Sequence, residues 1–334
     1  MDDKQIKKLA NTNKLPGASG KAEIKETHIS WLILYKHFVY KIKKPVKYSF
    51  VDFSTLEKRE YYCKEEIRLN TRLAPHMYLD VIEICNDMLA SGTTSDRKIL
   101  DYAVQMKRMD NKLEMDRLLE KDKVTKDSIS SLAKKITDFH DRVDIVRKKF
   151  NRKSFQKMYS DIENQQSYVQ ENLGDDFGKK IEDSISKSED FLANNEELMD
   201  TRVENGFRKD CHGDLNSHNI FLYDDPVVFD CIEFNKDFRY IDVLNEIAFL
   251  CVDLDFYKKE NLGNLFYEKY LEFSSQEHEE PLRKLFQYYK SYRANVRAKV
   301  TLISAEEKGK ENNKKELEDA CFYLNLMNIS LGKF

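Results

Sequence analysis

In the stretch Cys211-His212-Gly213-Asp214-Leu215-Asn216-Ser217-His218-Asn219, an aspartate is followed five positions later by an asparagine. The chain continues as Ile220-Phe221-Leu222-Tyr223, turns through Asp224-Asp225-Pro226 and returns as Val227-Val228-Phe229-Asp230. Two short apolar runs about a turn containing proline predict a hairpin with Asp230 at its far end. A carboxylate, a carboxamide and a second carboxylate at this spacing suit phosphoryl transfer. That reaction needs a carboxylate to orient the attacking hydroxyl, and oxygen ligands to hold Mg²⁺ on the phosphates of a nucleotide. In this reading Asp214 orients the acceptor hydroxyl and takes its proton, while Asn219 and Asp230 coordinate Mg²⁺. His212 organises the loop by hydrogen bonding. The bland alternative is a turn rich in Asp and Asn beside a hairpin.

Such groups work only if the rest of the chain positions them. Residues 1–20 are polar and read as an irregular lead-in or a short helix. From Lys21 to Val46 the pattern is β-like: Ile29–Tyr35 is one apolar run, Lys36-His37 a turn, and Phe38–Lys43 a second strand closed by Pro45. Ser54-Thr55-Leu56-Glu57 has the form of a capping box opening a helix to about Leu73. Tyr78–Ile84 and Ile99–Arg108 read as strands on either side of a polar turn at 91–95. These elements predict a small α+β unit over residues 1–106. Residues 107–334 read as mainly helical. Ile129, Leu132, Ile136 and Phe139 share one helix face. A strongly polar insertion at about 150–205 reads as exposed amphipathic helices. A late helix has Pro281 at its start and Leu282, Leu285, Phe286, Tyr289, Val296 and Val300 on one face.

Composition narrows the class. The 334 residues carry 56 basic and 59 acidic side chains, a net charge of −3, which argues against a nucleic-acid binder. No run approaches the roughly 18 apolar residues that span a bilayer, and the N-terminus lacks the apolar core of a signal peptide. Six scattered cysteines without a CxxC pair suit a reducing compartment, so a cytoplasmic location is expected. Cys211, His212, His218 and Cys231 match no familiar zinc spacing.

His212-Gly213-Asp214 with Asn219 resembles the catalytic motif of the aminoglycoside phosphotransferase and choline kinase superfamily, and Phe229-Asp230-Cys231-Ile232-Glu233-Phe234 resembles its metal-binding segment. Thr27–Trp31, Tyr40–Val46, Asp52–Arg59 and Tyr292–Val300 further resemble an aminoglycoside-phosphotransferase-like family sometimes fused to a P-loop ATPase domain. No P-loop is present here, so the stand-alone form is expected. The likeness runs from about residue 20 to 305. It implies a bilobal, protein-kinase-like α+β fold in which the β-rich N-lobe binds ATP or GTP and the helical C-lobe holds the acceptor. A strand lysine should touch the phosphates and a helix glutamate should pair with it. Lys41 and Lys43 share a strand face; Lys41 is preferred, because Val39 would then lie under adenine, but Lys43 stays open. Glu66 is preferred to Glu65. The backbone of Met106-Lys107-Arg108-Met109 should bind adenine as a hinge. Three features depart from the pattern. Glu26–Ser30 stands where a glycine-rich loop would be, leaving the hydroxyl of Ser30 to cover the phosphates; Asn216 stands where relatives often have histidine or another residue; and no glycine follows the metal aspartate.

The expected function is therefore Mg²⁺-dependent transfer of the γ-phosphoryl group of ATP or GTP to a hydroxyl of a small molecule. No nucleic-acid or membrane partner is expected. Rival readings are a kinase-like regulatory module that holds nucleotide without turnover, and a protein kinase or nucleotidyl transferase. His140 is expected in the core beneath the loop, and Asp242 as a brace on the loop backbone. Arg293, Arg297 and Lys299 could face an anionic acceptor or form surface salt bridges.

Overall fold

The computed structural model describes residues 1–332 apart from 49, 91–95, 277–278 and 310. The polar turn expected at 91–95 lies outside the described residues. The chain forms two compact units, residues 1–117 with 218–239 and residues 118–217 with 240–334.

In the first unit, helix α1 (Asp3–Ala10) precedes strands β1 (Glu23–Glu26), β2 (Ser30–Leu34) and β3 (Phe38–Lys43). Helix α2 (Leu56–Asn70), strand β4 (Tyr78–Cys85), a single turn α3 (Asn86–Leu89) and strand β5 (Ile99–Lys107) follow. The sheet is antiparallel in the order β1-β2-β3-β5-β4. Strand alternation divides β3 between two cores. Tyr40 and Ile42 join Ile6, Leu9, Trp31, Ile33 and Ala103 on the face covered by α1. Val39 joins Cys63, Val104, Met106 and Phe221 on the other. The lead-in expected at the N-terminus is thus a short helix that closes one side of the sheet. The Trp31 indole donates to Asp3, and the Tyr35 hydroxyl to the carbonyl of Ala10.

The cap of α2 corrects the sequence reading. Thr55, not Ser54, is the N-cap, accepting from the Lys58 amide. Ser54 is drawn instead to Asp52, which accepts from both its hydroxyl and its amide. The buried side of α2 consists of Arg59, Cys63, Glu66, Leu69 and Asn70, a face more polar than a usual core stripe. The hairpin β7 (Ile220–Phe221) and β8 (Val227–Val228) also belongs to this unit.

Helix α4 (Met115–Glu120) leads into the second unit, which holds α5 (Lys126–Arg142) and helices α6 to α9 (Arg152–Ser160, Gln166–Leu173, Asp175–Asn194, Glu196–Glu204). It then holds β6 (Arg208–Asp210), β9 (Tyr240–Asp242), α10 (Val243–Phe256), α11 (Glu260–Phe273), α12 (Glu280–Lys308) and α13 (Lys314–Leu331). Every residue of α10 from Val243 to Asp255 is buried. That places α10 at the centre of the unit. The 150–205 insertion is helical, but it is packed rather than merely exposed: Tyr159, Ile162, Val169, Ile181 and Phe191 are buried, and Phe191 stacks on Tyr288 of α12. Val300 does not join the inner face of α12 and is exposed. It lies two residues beyond buried Ala298, about 200° around the helix.

All six cysteines are free, and only Cys321 is even partly exposed. No helix among the described residues is long and apolar enough to cross a membrane. Thr55→Ala should cost about 1 kcal/mol in urea unfolding, whereas Ser54→Ala should cost clearly less.

Candidate active site

The first unit gathers five ionisable side chains. Lys43, 1% exposed, bonds Glu66 at 2.6 Å and also Glu233. Lys41 bonds Asp230 at 2.6 Å. Its Nζ also lies 2.9 Å from Glu66 Oε1 as an ion pair outside hydrogen-bonding geometry, so that oxygen has no hydrogen-bond donor. Glu66 is fully buried and contacts both lysines, whereas Glu65 pairs with Arg68 at the surface. Burial works against the charge of Glu66, but Lys41 and Lys43 outweigh it and hold the pKa down. Glu233 is pushed up by burial, against the pull of Lys43. Both lysines are held above their ordinary range: burial opposes their charge, and the carboxylates overcome it.

Asp230 is set by its backbone. Its φ of 62° is a left-handed conformation that few non-glycine residues adopt. Its amide donates to the Tyr78 hydroxyl at 3.1 Å, and the next amide, of Cys231, to Asn70 Oδ1 at 2.8 Å. These bonds fix the strained turn while the Asp230 side chain stays 44% exposed, unlike Glu66 and Glu233. Oxygen donors are what Mg²⁺ takes, and Asp230 offers an exposed carboxylate and Asn219 a carboxamide.

In the second unit a different carboxylate holds the loop before Asp214. Glu246, fully buried in α10, accepts from the amides of His212 at 2.9 Å and Gly213 at 2.6 Å. It also receives His140 Nε2 at 3.0 Å, and His140 Nδ1 meets the Tyr270 hydroxyl at 2.8 Å. Because a carboxylate only accepts, Nε2 carries the His140 proton. Burial pushes the Glu246 pKa up, but the bonds and charges of His140 and His212 bring it down to about 2. On the next peptide, Arg293 Nη1 donates to the Gly213 carbonyl at 3.4 Å. Asn216 Nδ2 donates to Asp214 Oδ1 at 3.0 Å, and Asp253 accepts the Ser217 amide at 2.8 Å.

The remaining expected residues are distributed as follows. Ser30 opens β2 fully buried, and its hydroxyl has no partner. Met106 sits near the end of β5 opposite Val39. The amides of Lys107 and Arg108 are taken by the carbonyls of Met77 and His37, and the Arg108 guanidinium reaches the Tyr35 carbonyl. Asn219 is buried, and its carbonyl receives the Phe229 amide. Asp242 does not brace the loop: it caps α10 and binds Arg202. That brace is Glu246, which the sequence reading missed although it is the one charge between Val243 and Val252 of an apolar helix. Glu233 was missed as well, despite lying between apolar neighbours just past Asp230. The only cluster of three metal-type ligands among the described residues is His140, Cys211 and Glu246, and both His140 nitrogens and both Glu246 oxygens are engaged as above.

Lys43→Met would strand the buried Glu233 and leave Glu66 with Lys41 alone, and should cost about 3–5 kcal/mol in urea unfolding; Lys41→Met should cost less than half of that. Glu246 is depressed from about 4.5 to about 2, so its contribution is complete above about pH 4.5 and is lost as pH falls through about 2. That contribution is on the order of 3 kcal/mol. Glu246→Gln turns an amide donor toward one of three donors; it should destabilise by about 2–4 kcal/mol at neutral pH and flatten the acid limb of the stability profile.

No family model matches the chain. Proteins of Mycobacterium tuberculosis and Mycobacterium bovis described as uncharacterized are 28% identical over 286 residues, 84% of this chain and 55% of theirs. The chain thus spans about half the length of the curated relatives it matches. Among solved structures, a choline kinase from Cryptosporidium parvum aligns with TM-score 0.59 and 12% identity over 99% of this chain and 96% of that one. The GDP complex of aminoglycoside 2'-phosphotransferase-IIIa aligns at 0.53 and 14%, over 97% and 99%. With its antiparallel five-stranded unit and its helical unit, this chain has the α+β, kinase-like fold of the aminoglycoside phosphotransferases and choline kinases.

Proposed function

We propose that the protein is a Mg²⁺-dependent phosphotransferase moving the γ-phosphoryl group of ATP or GTP to a hydroxyl of a small molecule. The observation that carries this reading is the Lys41–Glu66–Asp230 cluster: a buried glutamate orients a strand lysine, and the lysine reaches the exposed carboxylate of Asp230. Of the two lysines, Lys41 is the phosphate ligand. Lys43 is enclosed and already matched by Glu66 and Glu233, whereas Lys41 is shared with an exposed partner. The β-rich residues 1–106 then form the nucleotide lobe and 107–334 the acceptor lobe. Val39 and Met106 would lie under adenine. Because the Lys107 and Arg108 amides are already bonded, the hinge would recognise adenine through other backbone groups, and the unpaired, buried Ser30 hydroxyl would meet a phosphate only if the turn before β2 opened.

Asp214 orients the acceptor hydroxyl, held by Asn216 and by a loop in which both the amide and the carbonyl of Gly213 are fixed. The acceptor oxygen bonds to the γ-phosphorus as the bond to the β-phosphate oxygen breaks. The hydroxyl proton passes to Asp214, and the nucleoside diphosphate leaves. Asn219 and Asp230 would hold Mg²⁺, which when bound neutralises charge on the phosphates. The missing glycine-rich loop favours a second reading, nucleotide binding without turnover.

Two measurements test this. Mg·ATP or Mg·GTP should raise Tm, and Asp230→Ala and Lys41→Met should abolish the shift; no shift in wild type would sink the nucleotide site. Asp214→Asn should retain the shift but lower nucleoside diphosphate release by roughly 10²–10⁴-fold. Undiminished turnover would remove Asp214 from the mechanism, and binding without any turnover would favour the regulatory module.

A further inference from the structure

A charge taken out of water is costly unless an opposite charge meets it. Most buried cations here obey this rule: Lys43 meets Glu66 and Glu233, Arg59 meets Asp101, Arg202 meets Asp242 and Lys290 meets Asp255. Arg293 breaks it. It is 6% exposed and forms no ion pair among the described residues. Its Nε donates to the carbonyl and side-chain oxygens of Asn245, its Nη1 to the Gly213 carbonyl, and its Nη2 has no hydrogen-bond partner. The rings of Phe249 and Tyr292, 4.7 and 5.8 Å from the guanidinium carbon, are its other close company.

Arg297 follows at i+4, on the same face of α12. Its Nε and Nη2 reach only the Tyr323 hydroxyl, at 3.4 and 3.3 Å, and it too forms no ion pair among the described residues. Burial pushes the Arg293 pKa down. Asp253 and Asp214 favour the charge of Arg297 only at longer range. Lys299, which the sequence grouped with these two, is satisfied by Asp161 at 2.6 Å. Two guanidiniums therefore stand near the Gly213-Asp214 segment with no carboxylate in ion-pair contact, and Glu246, Asp214 and Asp253 favour their charge only at longer range.

We propose that Arg293 and Arg297 form the anion-binding part of the acceptor site, so that the acceptor carries a carboxylate or phosphate beside the hydroxyl it presents to Asp214. A guanidinium pair suits these groups because its fixed fork of donors matches two oxygens at once. The word acceptor rests on the phosphotransfer reading; the need for an anion does not.

Thermal-shift titrations with D-glycerate, glycerol 3-phosphate, glycerol and choline, each with and without Mg·ADP, test this. The two anionic probes should raise Tm, and neutral glycerol and cationic choline should not. Arg297→Gln should weaken the anionic probes about tenfold and leave the Mg·ATP shift intact. Arg297→Lys should retain part of the effect, and Lys299→Gln should match wild type. The proposal is overturned if neither anionic probe binds, if choline or glycerol binds as well as they do, or if Arg297→Gln leaves them unaffected. Loss of Mg·ATP binding in Arg297→Gln would assign the arginines to the transferred phosphoryl group, and that also overturns it. If wild type binds the anions but no nucleotide, the phosphotransfer reading fails and the anion site stands.

Discussion

Glu66 has both carboxylate oxygens against lysines in a part of the first unit that water does not reach. A buried carboxylate survives only when opposite charge surrounds it closely, and this one requirement fixes much around it. It sets the phase of α2, because Arg59, Cys63, Glu66 and Asn70 must face inward together. It sets the register of β3, because Lys41 and Lys43 must emerge on that face while Tyr40 and Ile42 enter the opposite core. It also anchors the segment after the hairpin, through Asp230 and Glu233. Moving β3 by one residue would reverse every one of these side chains.

The second unit solves a related problem with backbone instead of side-chain charge. The peptide groups before Asp214 lie inside the unit and need partners. Glu246 takes the amides and Arg293 the carbonyl, with His140 and Tyr270 fixing Glu246 in turn. Charged partners give short, directional bonds in a low-dielectric interior. Asp214 is thereby held by its backbone, and Asn216 holds its carboxylate.

Much of this was legible in the sequence where local rules dominate. Phe38–Lys43 is a strand with the bounds expected, because alternation and Pro45 both define it. The α2 cap was misplaced by one residue because Ser54 and Thr55 are equally good caps by type, and only the tertiary placement of Asp52 decides between them. Glu246 and Glu233 were missed for a common reason. A charged residue reads as surface by default, and its burial depends on partners far away in the chain. The face of α12 was over-extended to Val300 because periodicity says nothing about where the packing partner ends.

The cysteines give the molecule built-in reporters. Cys63 packs on the sheet face under Lys43, Cys231 follows Asp230, Cys211 precedes His212, and Cys251 lies within α10. Burial pushes the Cys63 and Cys251 thiols up to about 12, so neither offers a thiolate at neutral pH. Each therefore becomes alkylatable only when its own surroundings open. Mass-resolved labelling over time would read the opening of the charge cluster and of the catalytic loop separately, in the native protein and without an added probe, with partly exposed Cys321 as the internal clock.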